Sequence, residues 1–195
     1  NMGTTYSRNL GLKKATGRYL CIMDSDVELT PGLFEPLLKQ IEHHPETGMV
    51  VPKILYPDQR LQKSTDRFPT FTRKVLRYFF LKQMEAREQA QAPGNRASEV
   101  DYAISAFWLF KRNVLEKTGL LDEKIFYSPE DVDYCLRVWK EGYRIQYIPD
   151  VTVIHHTQEI SRGFKFNSAF FNHIKGLFYL FKKHGYFFRP PVFKP

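Results

Sequence analysis

The sequence predicts an α/β domain, a mixed, mostly parallel sheet with helices packed on it. Short apolar runs that stop at acids or turn residues alternate with segments of helical spacing. The chain has 195 residues, enough for one domain with a real core. Its 43% hydrophobic and 26% charged residues are the mix of a globular protein and exclude wholesale disorder, a collagen-like repeat and a disulfide scaffold. The two cysteines, Cys21 and Cys135, both lie in apolar runs and are expected as buried reduced thiols.

The elements follow in order. Arg18 to Met23 is an apolar run that ends at Asp24-Ser25-Asp26, a buried strand by length and composition. Thr30-Pro31 reads as an N-cap and first helical residue. Leu33, Phe34, Leu37, Leu38 and Ile41 follow at helical spacing, and His43-His44-Pro45 ends that helix. Gly48 to Leu55 reads as a strand. From Tyr56 to about Ser98 the pattern weakens, with a charged helix over Val75 to Gln91 and a turn at Ala92-Pro93-Gly94-Asn95, so 56–98 is a variable insertion. Tyr102 to Phe110 is the next strand, and Lys111 to Lys117 a short helix stopped by Gly119.

The clearest helix comes next. Ser128 is its expected N-cap, Pro129 its first residue, and Asp131 stands three residues after the cap. Val132, Cys135, Leu136 and Trp139 form its apolar stripe, and Gly142 closes it. Arg144 to Ile148 and Val151 to His155 read as two strands with Pro149-Asp150 as the corner. Residues 156–195 differ in composition: 11 aromatics and 7 Lys or Arg stand against one acid, Glu159. Phe170, Ile174, Leu177, Phe178 and Phe181 share one helical face, so this part reads as an amphipathic tail after a domain spanning 1–155.

The formal net charge of +8 suits an anionic partner: a nucleotide, a nucleic acid or an acidic membrane surface. No stretch approaches the roughly 18 apolar residues of a membrane span. Asn1-Met2-Gly3-Thr4 has no apolar signal-peptide core, and a first residue other than Met is expected of a fragment or a processed product.

Four groups can carry chemistry. Asp24 and Asp26, one residue apart at the carboxyl end of a strand, point the same way if the chain stays extended, and a divalent cation there bridges to a diphosphate. Glu130 and Asp131 occupy the first turn of a helix, where the dipole favours the anionic form; Asp131 is suited to accept a proton from a hydroxyl. Asp133 pairs with Arg137 four residues on. His155 shares a strand face with Val151 and Val153; an imidazole with two carboxylates is a mixed N/O site that suits Mn²⁺. Arg162, just beyond His156, is placed to contact a phosphate. Each also has a plainer reading, as a solvated turn, an ordinary first-turn acid, a surface histidine or a basic face.

Together these pieces resemble the family 2 glycosyltransferases of the GT-A fold. The run from Asn9 to Leu20, leading into Asp24-Ser25-Asp26-Val27-Glu28-Leu29-Thr30-Pro31-Gly32, looks like the family's segment around its metal-binding Asp-x-Asp. Gly119 to Glu123 and Phe126 look like the lead to its catalytic helix, and Glu130 to Arg137 matches that helix. Gly142-Tyr143-Arg144 and Pro149 to His156 match the strand pair that follows. Ser161-Arg162 and Lys183-His184-Gly185 resemble the rhamnosyltransferase-type members.

The resemblance implies an inverting, metal-dependent transfer of a sugar from a nucleotide-sugar donor to a saccharide or lipid-linked acceptor. It places such an enzyme in polysaccharide assembly at the cell envelope. Asp131 would be the base, with Glu130 beside it. Asp24, Asp26 and His155 would hold Mn²⁺ or Mg²⁺, and Asp24, Asp26 and Arg162 would bind the donor. It implies a cytoplasmic enzyme, peripheral on the inner membrane face, with no nucleic-acid partner. Two departures stand out. Members usually begin with a strand–helix–strand portion for the nucleoside, so this chain is expected to be truncated at that end, even an inactive fragment. Many members also carry Gly where Ser105 stands, on the acceptor side.

Two other functions compete. A sugar-nucleotide nucleotidyltransferase shares the sheet and the metal-bound carboxylates but needs a Gly-rich phosphate loop, which this chain does not show. A basic, aromatic-rich module for RNA or acidic lipid fits the charge, yet nothing resembles an RNA-binding signature.

Overall fold

In the computed structural model the described residues are 3–76, 80, 96–126, 128–157 and 168–193. The elements are α1 (Thr4–Lys14), β1 (Tyr19–Met23), β2 (Val27–Leu29), α2 (Phe34–His43), β3 (Thr47–Leu55), β4 (Thr65–Asp66) and the helical residues 71–76, α3. They continue with β5 (Ser98–Glu99), β6 (Tyr102–Ala103), β7 (Phe107–Lys111), α4 (Arg112–Thr118), α5 (Glu130–Lys140), β8 (Arg144–His155) and α6 (Ser168–His184).

The main sheet has the order β1-β7-β3-β8-β2, with β5 also on β8. The mixed sheet with flanking helices is the fold the sequence predicts. Parallel pairing does not dominate it. Among the described strands β3 and β8 run parallel, and β1–β7, β3–β7, β2–β8 and β5–β8 run antiparallel. The reason is β7. It inserts between β1 and β3, strands joined through α2 that would otherwise be parallel neighbours.

Both faces of the sheet are covered, so its central strands alternate between two cores. On one face Met49, Val51, Trp108, Phe110 and Ile145 pack with Val132, Cys135 and Leu136 of α5 and with Leu177, Leu180 and Phe181 of α6. On the other, Val50, Ile54, Phe107, Leu109 and Val153 pack with Leu37 and Ile41 of α2. The tail helix is thus built into the first core. It leaves Phe171 and Phe178 exposed. β1 lies at one end of the strand order, with Leu20 and Ile22 buried and Cys21 and Met23 exposed. Cys21 is therefore not the buried thiol expected; Cys135 is, and both are free.

Several local expectations shift. Thr30 does not cap a helix at Pro31. Its hydroxyl donates to the Thr152 carbonyl at 2.7 Å, and α2 starts at Phe34. The run Tyr102–Phe110 breaks at residues 104–106, where a turn puts Ser105 at the site. Gly119, at φ 75°, does end α4. Of the proposed helix Val75–Gln91, residues 77–79 and 81–91 lie outside the described set.

The expected corner at Pro149-Asp150 is a bulge inside one continuous strand. Pro52 pairs with Ile148 and Lys53 with Thr152, so β8 carries three extra residues there. An odd insertion swaps the faces of everything after it. Ile145 and Tyr147 lie in the α5 core, whereas Val151 and Val153 lie in the α2 core. His155 continues the second set, which brings it to Asp26.

Candidate active site

Asp24, Ser25 and Asp26 follow the last residue of β1, as the switch from apolar to acidic residues predicts. Two backbone bonds fix them. Asp24 N–H donates to the Ala106 carbonyl at 3.0 Å, and His156 N–H donates to the Asp26 carbonyl at 2.9 Å. Because Val27 pairs with His155, Asp26 stands beside that histidine. One ligand atom each from Asp24, Asp26 and His155 lies within 4.8 Å of the other two.

This donor set fits a divalent cation. His155 is buried, and its Nε2 is 3.2 Å from Asp26 Oδ1. Its Nδ1 donates to Gln62 Oε1 at 2.9 Å, which aims Nε2 at the carboxylate. One imidazole and two carboxylates form an N/O set of the kind that suits Mn²⁺ or Mg²⁺. His156 points the other way, to Glu28 at 2.9 Å, as strand alternation requires.

The second acidic group is tied to the first by one guanidinium. Arg8 Nη2 donates to Asp24 Oδ1 at 2.7 Å, and Nη1 donates to Glu130 Oε1 at 2.9 Å and to Ser105 Oγ at 2.7 Å. Ser105 Oγ also donates to Glu130 Oε1 at 3.1 Å. Glu130 is buried, and its Oε1 accepts from both Arg8 and Ser105. Arg8 itself is held because α1 docks through buried polar groups. Asn9 Nδ2 donates to the Leu121 carbonyl at 2.9 Å, and Thr5 Oγ1 to the Ile125 carbonyl at 3.1 Å.

α5 begins at Glu130, one residue later than expected, and Ser128 does not cap it: the N-cap position is Pro129, with no side-chain bond. The Ser128 hydroxyl lies 3.1 Å from His173 Nδ1 instead. Asp131 Oδ1 accepts the Val132 N–H at 2.8 Å. The helix dipole does not govern its acidity. Burial first, and then the charge of Glu130, push the Asp131 carboxyl up to about 7, against the Val132 N–H, Lys74 and Arg8, which pull it down. Asp133 does meet Arg137, at 3.0 Å, but it is fully buried and also binds Lys183 at 2.7 Å and His184 at 2.8 Å. Those partners outweigh its burial and hold its carboxyl down to about 2.

Arg8 thus joins Asp24 to Glu130, and its charge also acts on Asp131, the next residue in the chain. Arg162 lies outside the described residues. Arg8, Gln62 and Ser105 complete the arrangement. An N/O cluster that could hold a cation lies, across Arg8, from a helix start whose Asp131 carboxyl burial pushes up.

Residues 1–119 match the family model "Glycosyl transferase family 2". The chain belongs to glycosyltransferase family 2. It is 30% identical to a pre-mycofactocin glycosyltransferase of Mycobacterium tuberculosis over 87% of this chain and 33% of that protein. It is 34% identical to the rhamnosyltransferase WbbL of Escherichia coli over 43% of this chain and 32% of that one. The chain spans about a third of the length of these relatives. GalNAc-T7, solved with UDP, GalNAc and Mn²⁺, shares the fold at a TM-score of 0.63 and 16% identity, over 93% of this chain and 34% of that one. So does the mannosyltransferase PcManGT of Pyrobaculum calidifontis, solved with GDP-Man and Mn²⁺, at 0.55 and 19%, over 98% and 46%. The fold is that of the GT-A glycosyltransferases. No helix among the described residues is long and apolar enough to cross a membrane.

Proposed function

We propose that this chain carries the catalytic centre of an inverting glycosyltransferase that moves a sugar from a nucleotide-sugar donor to a saccharide or lipid-linked acceptor. The observation that carries the reading is Arg8. One guanidinium joins the Asp24–Asp26–His155 cluster to the start of α5, so the donor's phosphates and the acceptor's hydroxyl have facing sites. We take 1–155 as the catalytic part and 156–195 as a tail, of which α6 packs into the core with α5.

Asp131 accepts the acceptor hydroxyl's proton. A carboxyl near 7 is a stronger base than an ordinary carboxylate and is still largely ionised slightly above neutrality. Glu130, locked by Arg8 and Ser105, fixes the helix start and adds negative charge beside the base. Asp24, Asp26 and His155 hold Mn²⁺ or Mg²⁺, with Gln62 orienting the imidazole. When bound, that cation offsets the charge that grows on the leaving nucleoside diphosphate. Arg162 supplies a further positive charge to the donor.

The acceptor reading extends to the membrane. Phe171, Lys175, Phe178 and Lys182 lie on one exposed face of α6, next to the exposed Phe187, Phe188 and Arg189. Residues 168–193 contain no acid. Aromatics with cations between them suit an anionic bilayer surface, as on the inner face of a cell membrane.

The test is product analysis with the full protein. A nucleotide-sugar plus acceptor must release free nucleoside diphosphate and an anomer-inverted product, with the divalent-metal requirement lost along with activity in Asp26→Ala. Release of pyrophosphate would favour a nucleotidyltransferase instead.

A further inference from the structure

We propose that α6 is a clamp that positions the carboxylates of α5, with Gly176 and His184 as positioning residues. The proposal rests on the reading of Asp131 as the base. It follows from where α6 touches its neighbour: on both sides of Glu130 and Asp131 in the chain.

On the near side the contact is backbone-close. A Cβ on Gly176 would sit 2.6 Å from the Ser128 carbonyl oxygen and 2.9 Å from Pro129 Cδ, so only glycine lets the helix reach this step. His173 Nδ1 is 3.1 Å from Ser128 Oγ at the same place. Ser128 and Pro129 immediately precede Glu130. On the far side the contact is ionic and buried. Lys183 Nζ and His184 Nε2 reach Asp133 Oδ1 at 2.7 and 2.8 Å, and Asp133 has no exposure. Lys140 Nζ, 2.9 Å from His184 Nδ1, fixes the imidazole from its other edge. Lys183 and Tyr179 also hold Asp122, at 2.6 and 2.8 Å, on the segment leading to α5.

The base is therefore bracketed by two fixed points on one rigid helix. An aromatic stripe alone would bury α6 without a glycine at one position and a lysine and a histidine on one buried carboxylate at another. Hydrophobic contacts tolerate sliding, whereas a close backbone approach and a buried charge cluster do not. Transfer chemistry needs this, since a displacement of about 1 Å can cost roughly 10²-fold in rate.

The experiment compares Gly176→Ala, His184→Gln and His184→Leu with wild type, with active sites counted by nucleoside diphosphate binding in the presence of Mn²⁺. Gly176→Ala and His184→Leu are expected to lower kcat per counted site at least tenfold, with the donor KM within twofold. His184→Gln, which keeps an N–H toward Asp133, is expected to retain most of kcat. The proposal is overturned if both substitutions merely lower Tm and kcat per counted site stays within twofold of wild type, or if His184→Gln and His184→Leu lose turnover equally. If Gly176→Ala fails to fold, the two His184 variants decide. Asp131→Asn in the same assay separates the readings: lost turnover there with intact turnover in the α6 variants defeats the clamp alone, and intact turnover in Asp131→Asn defeats the base.

Discussion

Replacing Asp133 by Asn removes one negative charge from a site where Arg137, Lys183 and the His184 imidazole converge. The structure sets the size of the effect. Asp133 is completely buried, and Arg137, Lys183 and His184 all reach it within 3.0 Å. Its carboxyl is held down from an ordinary 3.8 to about 2, a drop worth roughly 2–3 kcal/mol at neutral pH. A depressed carboxylate contributes stability that is fully present above its unfolded value and is lost as pH falls through the folded one. The same relation leaves roughly half of that at pH 3. Urea unfolding at pH 7 should then place Asp133→Asn roughly 2–3 kcal/mol below wild type, a midpoint lower by about 1 M for an ordinary urea slope. At pH 3 the gap should be about half as large. A gap under 0.5 kcal/mol at pH 7, or one of equal size at both pH values, would refute the reasoning, because it would mean the charge is not what the three partners hold (a scale on the order of the thermal energy).

Gln62→Ala should weaken Mn²⁺ binding about 10- to 100-fold in calorimetry with nucleoside diphosphate present, since it frees the imidazole that Gln62 orients. The rate of transfer should fall about tenfold per unit as pH drops below 7, because the Asp131 carboxyl must be ionised to act; a flat profile from pH 5 to 8 would contradict this. Arg8→Lys, which cannot span Asp24, Ser105 and Glu130 together, should lower kcat and raise the donor KM, read in steady-state kinetics. Vesicles of anionic lipid should sediment the protein at low salt and release it at high salt, and Phe178→Ser with Phe188→Ser should abolish the binding.

Much of the site was legible because its residues sit at chain features that sequence reports. Asp24 and Asp26 end an apolar strand, and Glu130 and Asp131 open an amphipathic helix whose stripe is plain. His155 was readable through its alternation with Val151 and Val153. What was illegible has physical reasons. Arg8 lies on a helix whose buried residues are Thr5, Asn9 and Leu12, so no apolar period marks its inner face. The matched motif also began one residue too late, at Asn9. Gln62 lies in a segment of weak pattern and acts through a tertiary contact 93 residues away in the chain. The dominance of antiparallel pairs depends on β7 entering between β1 and β3, a choice of topology that residue spacing does not encode. Asp133 looked like a surface helix pair because Arg137 stands four residues on. Only the return of Lys183 and His184 makes it a buried anchor.

The central claim is that Asp131 is the base, and one substitution tests it directly. Asp131→Asn keeps size and polarity, and it removes a carboxyl whose ionisation burial opposes. Stability should therefore not fall; the gain over wild type should grow as pH rises from about 4 to about 7 and stay level above that, since a carboxyl kept protonated in the fold but ionised in the unfolded chain costs stability across that range. In the full protein at pH 8, turnover should drop by about 10²-fold or more, with donor binding unchanged and Tm no lower than wild type. Near-normal turnover in Asp131→Asn would contradict the account, and loss of turnover in Glu130→Gln alone would move the base to the neighbouring carboxylate.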